Sequence, residues 1–260
     1  MTKIPWTDKT WNPVTGCTPV SPGCANCYAA RMVRRLQVNP KTAEKYRNGF
    51  NVTLHPEELK KPLSWKKPRR IFVCSMGDLF HEDVPFEFIN KIITVIGQAG
   101  RHTFQILTKR PERMRNFFHG RTIKRNMWLG VTVCNQKEAD EKIPVLLQIE
   151  RENCPVVRFV SIEPMLSPIT LTQIHYDGLS EIDALNGTHG VVRRHRGICN
   201  KLDWVIVGGE TGANARPMDA DWARAIRDQC RSAGVPFFFK QMSGRQPVPD
   251  DLMVREFPVR

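Results

Sequence analysis

Cys17, Cys24 and Cys27 fall within the stretch "VTGCTPVSPGCANCYAARMVRRL" at a C-x6-C-x2-C spacing, and Tyr28 follows the third directly. Thiolates gathered on one loop suit two kinds of metal site. Zinc asks for a fourth ligand to close a structural tetrahedron. None stands close in sequence, because the next histidine is His55 and the next cysteine, Cys74, falls in an expected strand. An iron–sulfur cluster is the other choice, since thiolates hold such clusters. Three cysteines on a four-iron cubane leave one iron open to a substrate or cofactor, which a catalytic cluster requires. A zinc site completed from elsewhere, and a reduced loop with no metal, remain as alternatives. Cys74, Cys134, Cys154, Cys199 and Cys230 are scattered and read as small buried apolar residues.

Further polar candidates recur where short β-branched or aromatic runs end. The run 70–75 leads to Ser75, Asp78 and His81. The run 102–108 ends in Thr108, Lys109 and Arg110 before Pro111. The run 127–133 is followed by Asn135 and Gln136, and 156–162 by Glu163. The run 203–209 ends in Gly208, Gly209 and Glu210, and 235–241 closes on Lys240 and Gln241. Two cations at a helix N-terminus, as at Lys109 and Arg110, oppose the helix dipole and point to an anionic ligand. Glycines at 208 and 209 would let a ligand approach the backbone closely. "GGETG" lacks both the dinucleotide and the Walker signatures, and no H-E-x-x-H spacing marks a zinc hydrolase.

Between these runs lie amphipathic segments at 25–36, 86–99, 111–118, 137–150 and 219–233, the last bracketed by Asp219 as N-cap and Gly234 past its end. Strands alternating with helices predict βα units, a parallel sheet and α/β class. The expected architecture is a full or partial parallel (βα) TIM-like barrel with a Cys-rich loop after the first strand; an open doubly wound sheet is the runner-up. In a barrel, the polar strand ends converge on one mouth. The chain reads as one domain, 1–260, with insertions at about 38–69 and 167–201, the second containing the Gly- and Arg-rich "NGTHGVVRRHRGICNK".

A net charge of +13, from 39 basic against 26 acidic side chains, favours anionic partners. Arg193, Arg194 and Arg196, with the basic run 66–70, are the candidates for nucleic-acid phosphates. The start "MTKIPWTDKTWNPV" has no apolar core of a secretory signal, and no long apolar run appears, so a cytoplasmic protein with no membrane contact is expected.

The three cysteines after the first strand, the aromatic beside the last, and the expected barrel resemble the radical S-adenosylmethionine enzymes. Their usual C-x3-C-x2-C spacing differs from the longer first gap here. Over residues 10–241 the chain is similar to a phage-associated three-cysteine-motif family of unknown function, through "TWNPVTGCTPVSPGCANCYA", "SMGDLFHEDVP", "LTKRPERM", "WLGVTV", "RFVSIEPML", "DWVIVGGETG" and "GVPFFFKQ". Cys134 stands where an acidic residue often follows "GVTV" in that family, as a possible extra ligand.

The resemblance implies a 4Fe-4S cluster on Cys17, Cys24 and Cys27 and S-adenosylmethionine chelated at the open iron. Reductive cleavage of that cofactor would start radical chemistry on an unknown substrate, a nucleotide or nucleic acid among the candidates, in a phage or prophage setting. Ser75, Asp78, Gly208, Gly209 and Glu210 would contact the cofactor. Lys109, Glu163 and Lys240 would be catalytic, with Lys109 and Arg110 able to hold a carboxylate or an anionic substrate. An external electron donor and a three-cysteine-motif partner protein are implied. The alternative is a zinc- or iron–sulfur-stabilised nucleic-acid-binding protein without catalysis.

Overall fold

The computed structural model describes residues 4–149, 156–176, 180–191, 194–198 and 200–259. The chain divides into two compact units, Met1–Leu129 and Gly130–Arg260, with the boundary inside a strand.

In the first unit, β1 (Lys9–Trp11) and β2 (Val14–Thr15) replace the single opening strand expected from the sequence. Pro13 stands between them, and proline has no N–H to give to a ladder. A 3-10 turn at Pro22–Cys24 leads into α1 (Tyr28–Val38), which starts three residues later than its amphipathic pattern suggests. Ala25 and Asn26 instead form a turn, and Cys27 is the N-cap. Ala29 and Val33 of α1 are buried against Tyr46 and Met76, with Cys27, Leu36 and Phe50 packed alongside. Next come β3 (Thr53–Leu54), which pairs antiparallel with β2, then β4 (Arg70–Val73) and α2 (Phe86–Gln98). α2 buries Ile89, Ile92, Ile93 and Ile96, the i, i+3, i+4, i+7 stripe of a helix lying on a core. β5 (Thr103–Thr108), α3 (Pro111–Phe118) and the start of β6 (Met127–Val133) complete the unit.

The second unit continues with α4 (Gln136–Leu147) and β7 (Val157–Ile162). Four strands follow, β8 (Ile174–Tyr176), β9 (Ser180–Asp183), β10 (Thr188–Val191) and β11 (Arg194–Ile198), forming an antiparallel sheet in the order β11-β10-β9-β8. The Gly- and Arg-rich loop expected within 167–201 is therefore largely sheet. Its short alternating runs carry too little apolar residue to register as strands, and their stability comes from the ladder. The unit closes with β12 (Trp204–Val207), α5 (Ala220–Ala233) and β13 (Phe237–Phe239).

Among the described residues, the main sheet has seven parallel strands in the order β1-β4-β5-β6-β7-β12-β13, consistent with a partial parallel barrel. All seven residues of β6 are buried, the continuous apolar run of a parallel strand covered on both faces. Trp11, Phe104, Phe159, Trp204 and Phe237 are among the largest fully buried side chains. Among the described residues, no helix is long and apolar enough to cross a membrane.

α5 illustrates how local signals set an element. The Asp219 carboxylate accepts from the Asp221 N–H at 2.9 Å, and Gly234 takes the left-handed C-terminal position at φ 64°. Asp219→Ala is expected to cost about 1 kcal/mol, the usual worth of an N-cap carboxylate. A thermal melt checks this; an unchanged melt would mean that water caps the helix equally well.

Candidate metal centre and its surroundings

Cys17, Cys24 and Cys27 are part-exposed free thiols in the first unit. Each is placed by a different local device. Gly16, at φ +85°, donates its N–H to Met76 O at 2.8 Å, and Cys17 N–H reaches Phe50 O at 3.1 Å. A Cβ on Gly16 would lie 2.2 Å from the Asn51 carbonyl oxygen, so only glycine fits where the chain delivers Cys17. Ser21 caps the 3-10 turn by accepting from Gly23 N–H, and Cys24 N–H donates to Ser21 O at 2.9 Å. Cys27 is the N-cap of α1 and donates its N–H to Cys24 O at 3.2 Å.

Arg110 follows β5 and is nearly buried, with its side chain 5% exposed. Its Nε donates to both Glu82 carboxylate oxygens at 3.0 and 2.8 Å. Nη1 donates to Cys17 Sγ and to Asp78 Oδ2, each at 3.4 Å. Nη2 donates to Thr18 O at 3.2 Å and Thr18 Oγ1 at 3.0 Å. Asp78 is equally occupied: Oδ1 accepts from Thr108 Oγ1 at 2.7 Å and Phe80 N–H at 2.9 Å, and Oδ2 also accepts from Lys109 N–H at 3.1 Å. His81 Nδ1 accepts from Asp83 N–H at 3.1 Å, which leaves Nε2 to donate to Thr18 Oγ1 at 2.8 Å. Burial pushes the Cys17 thiol up; the Asp78 charge adds to this, and Arg110 opposes it. Ser75 Oγ meets Asn12 Oδ1 at 3.2 Å, and the Tyr28 hydroxyl donates to the Ser75 carbonyl.

The first unit thus brings together Cys17, Asp78 and Arg110, while Lys109 touches Asp78 through its backbone. Thr18 and Glu82 belong to the same network, and Asn12 pairs with Ser75, which follows β4. None of the three carries a sequence signal, because their spacing matches no motif. Arg110 was visible through its unfavourable place at the start of α3.

In the second unit, Lys240 donates to Glu163 Oε1, and Gln241 Nε2 donates to the same oxygen at 3.1 Å and to Gly209 O at 2.7 Å. The close approach permitted by Gly208 and Gly209 is made by this chain itself. A Cβ on Gly208 would meet Gln241 Nε2 at 2.8 Å, and one on Gly209 would meet Ser243 N at 2.3 Å. Glu210, 5% exposed, accepts from Arg216 N–H and Nε, both at 2.9 Å, and so ties down the turn that follows it. Cys134 is fully buried, its N–H donating to Glu138 Oε2 at 2.9 Å. Cys74 and Cys230 are buried too, which raises both thiols to about 12, whereas Cys154 and Cys199 lie outside the described residues.

Of the arginines expected to meet phosphate, Arg194 and Arg196 stand on β11 opposite Val191 and Gly190 of β10. Arg193 lies outside the described residues.

Among the described residues, no three His, Cys, Asp or Glu side chains converge as a single ion requires. The ligands of a cluster surround one compact group, each on its own iron, and do not meet at a single atom. Thiolates hold zinc and iron–sulfur clusters alike, so the donor type of the three free thiols fits either group.

A family model described as "Protein of unknown function (DUF5131)" matches residues 1–253. No match is found among curated proteins, and none among solved structures.

Proposed function

The chain belongs to this family, and we propose that it is an iron–sulfur enzyme of the radical S-adenosylmethionine kind. The observation that carries the reading is the loop of three free, part-exposed thiols, Cys17, Cys24 and Cys27, set by glycine, turn and helix cap after the first strand. These cysteines would hold a 4Fe-4S cluster. When bound and reduced, such a cluster supplies the electron for reductive cleavage of S-adenosylmethionine.

The chain's own residues orient and shield. Arg110 fixes Cys17 and Thr18 against the end of β5. Asp78, with both oxygens used internally, acts by holding Thr108, Lys109 and Arg110 in register. Ser75 borders the same loop through Asn12 and Tyr28. In the second unit, Glu163, ion-paired with Lys240 and held by Gln241, and Lys240 itself are the groups this reading assigns to the substrate side. The +13 charge fits an anionic substrate, a nucleotide or nucleic acid. A phage setting, an external electron donor and a cytoplasmic location complete the reading.

Incubation of the iron-loaded protein with S-adenosylmethionine and dithionite, without air, tests this. Methionine and 5′-deoxyadenosine should accumulate. An iron-loaded protein that leaves S-adenosylmethionine intact would count against enzymatic cleavage and favour the binding-protein alternative.

A further inference from the structure

Arg110 is committed to the cysteine loop more completely than a structural ion pair requires. A guanidinium has five N–H donors. Nε takes Glu82, Nη1 takes Cys17 Sγ and Asp78, and Nη2 takes both oxygens of Thr18. No donor remains for the carboxylate of a cofactor or substrate, the role its sequence position suggests. What it does touch is the sulfur of one cysteine and the backbone of the residue after it. The Cys17 sulfur thus has a buried cation within hydrogen-bond reach.

We infer that Arg110 is a positioning residue that sets the electronic character of the Cys17 corner of the cluster, with Glu82 as its counterweight. The inference rests on the iron–sulfur reading above. Its physical basis is that hydrogen bonds to ligand sulfurs, and local net charge, set the reduction potential of such clusters. A cation donating to the Cys17 sulfur stabilises the added electron and raises the potential. Asp78 offsets part of that charge at the same Nη1, 3.4 Å away, and so does Glu82, which pairs with the far side of the guanidinium at 2.8 Å. The Glu82 side chain is 62% exposed, so solvent screens it and its effect is the smaller one.

The two groups therefore predict shifts of opposite sign. Arg110→Gln should lower the midpoint potential of the reconstituted protein, and Arg110→Lys, which keeps the charge without the planar fork, should recover part of the loss. Glu82→Gln should raise the potential by a smaller amount. A role confined to holding the loop in place would loosen the cluster in both variants and shift both the same way or neither. Redox titration followed by the visible spectrum, with iron counted per chain, reads the outcome.

Opposite shifts support the inference. Unchanged potentials, or shifts of one sign, in variants that hold as much iron as the wild type overturn it while leaving the iron–sulfur reading intact. Should Arg110→Gln fail to fold or to take up iron, the exposed Glu82→Gln variant decides alone: a raised potential supports the inference and an unmoved one overturns it. A wild-type chain that takes up no iron overturns both.

Discussion

Replacing Cys24 by alanine is expected to reduce iron uptake from about four per chain to near zero while leaving the cooperative melt in place. The loss is large because a cubane offered two thiolates in place of three has two open irons and no firm seat. The fold should survive because the largest buried side chains lie outside the loop. Trp11, Ile71, Phe104 and Leu129 in the first unit are each no more than 1% exposed, whereas Cys24 is part-exposed. A chain of this size buries enough apolar surface to stand without a metal. A structural zinc site behaves differently, since its binding energy is folding energy. Circular dichroism melts beside iron analysis separate the two; a Cys24→Ala chain without a cooperative transition would make the metal structural and favour the binding-protein alternative.

Gly16→Ala should be the most damaging single-methyl change near the site. The new Cβ would sit 2.2 Å from Asn51 O, 2.4 Å from Asn51 C and 2.7 Å from Phe50 O, all backbone atoms that no side-chain rotation can move aside. The φ of +85° adds a conformational cost of its own. Together these should destabilise by about 3 kcal/mol, roughly 6–12 °C in Tm for a domain of this size. Gly120 provides the control, with φ +68° and nothing within 4 Å of a built Cβ, so Gly120→Ala should cost only about 1 kcal/mol. Gly16→Ala should also lower iron uptake, because Gly16 aims Cys17. Equal melts for the two variants would show that the loop yields easily and that Gly16 does not hold it.

Periodicity was a good guide to the parallel strands and their helices. The buried run 127–133 coincides with β6, and the stripe within 86–99 with α2. It was a poor guide wherever pairing, not burial, makes the element. β8 to β11 are short, carry polar and charged residues, and hold together through antiparallel ladders that no local pattern announces. The candidate site divides in the same way. The cysteines were legible because thiols at close spacing have few structural uses. Asp78 and Glu210 were legible as polar groups after strand ends, but not as buried carboxylates bonded by Arg110 and Thr108 or by Arg216. Gly208 and Gly209 read as places where a ligand could approach the backbone, and the groups that lie against them are Gln241 and Ser243 of the same chain. Sequence spacing cannot tell an internal partner from a ligand.

The most direct test of the iron–sulfur reading is metal analysis of the wild-type protein purified without air, or reconstituted with iron and sulfide. The account predicts a brown protein with about four irons and a matching amount of sulfide per chain. Stoichiometric zinc with no uptake of iron under those conditions would contradict it.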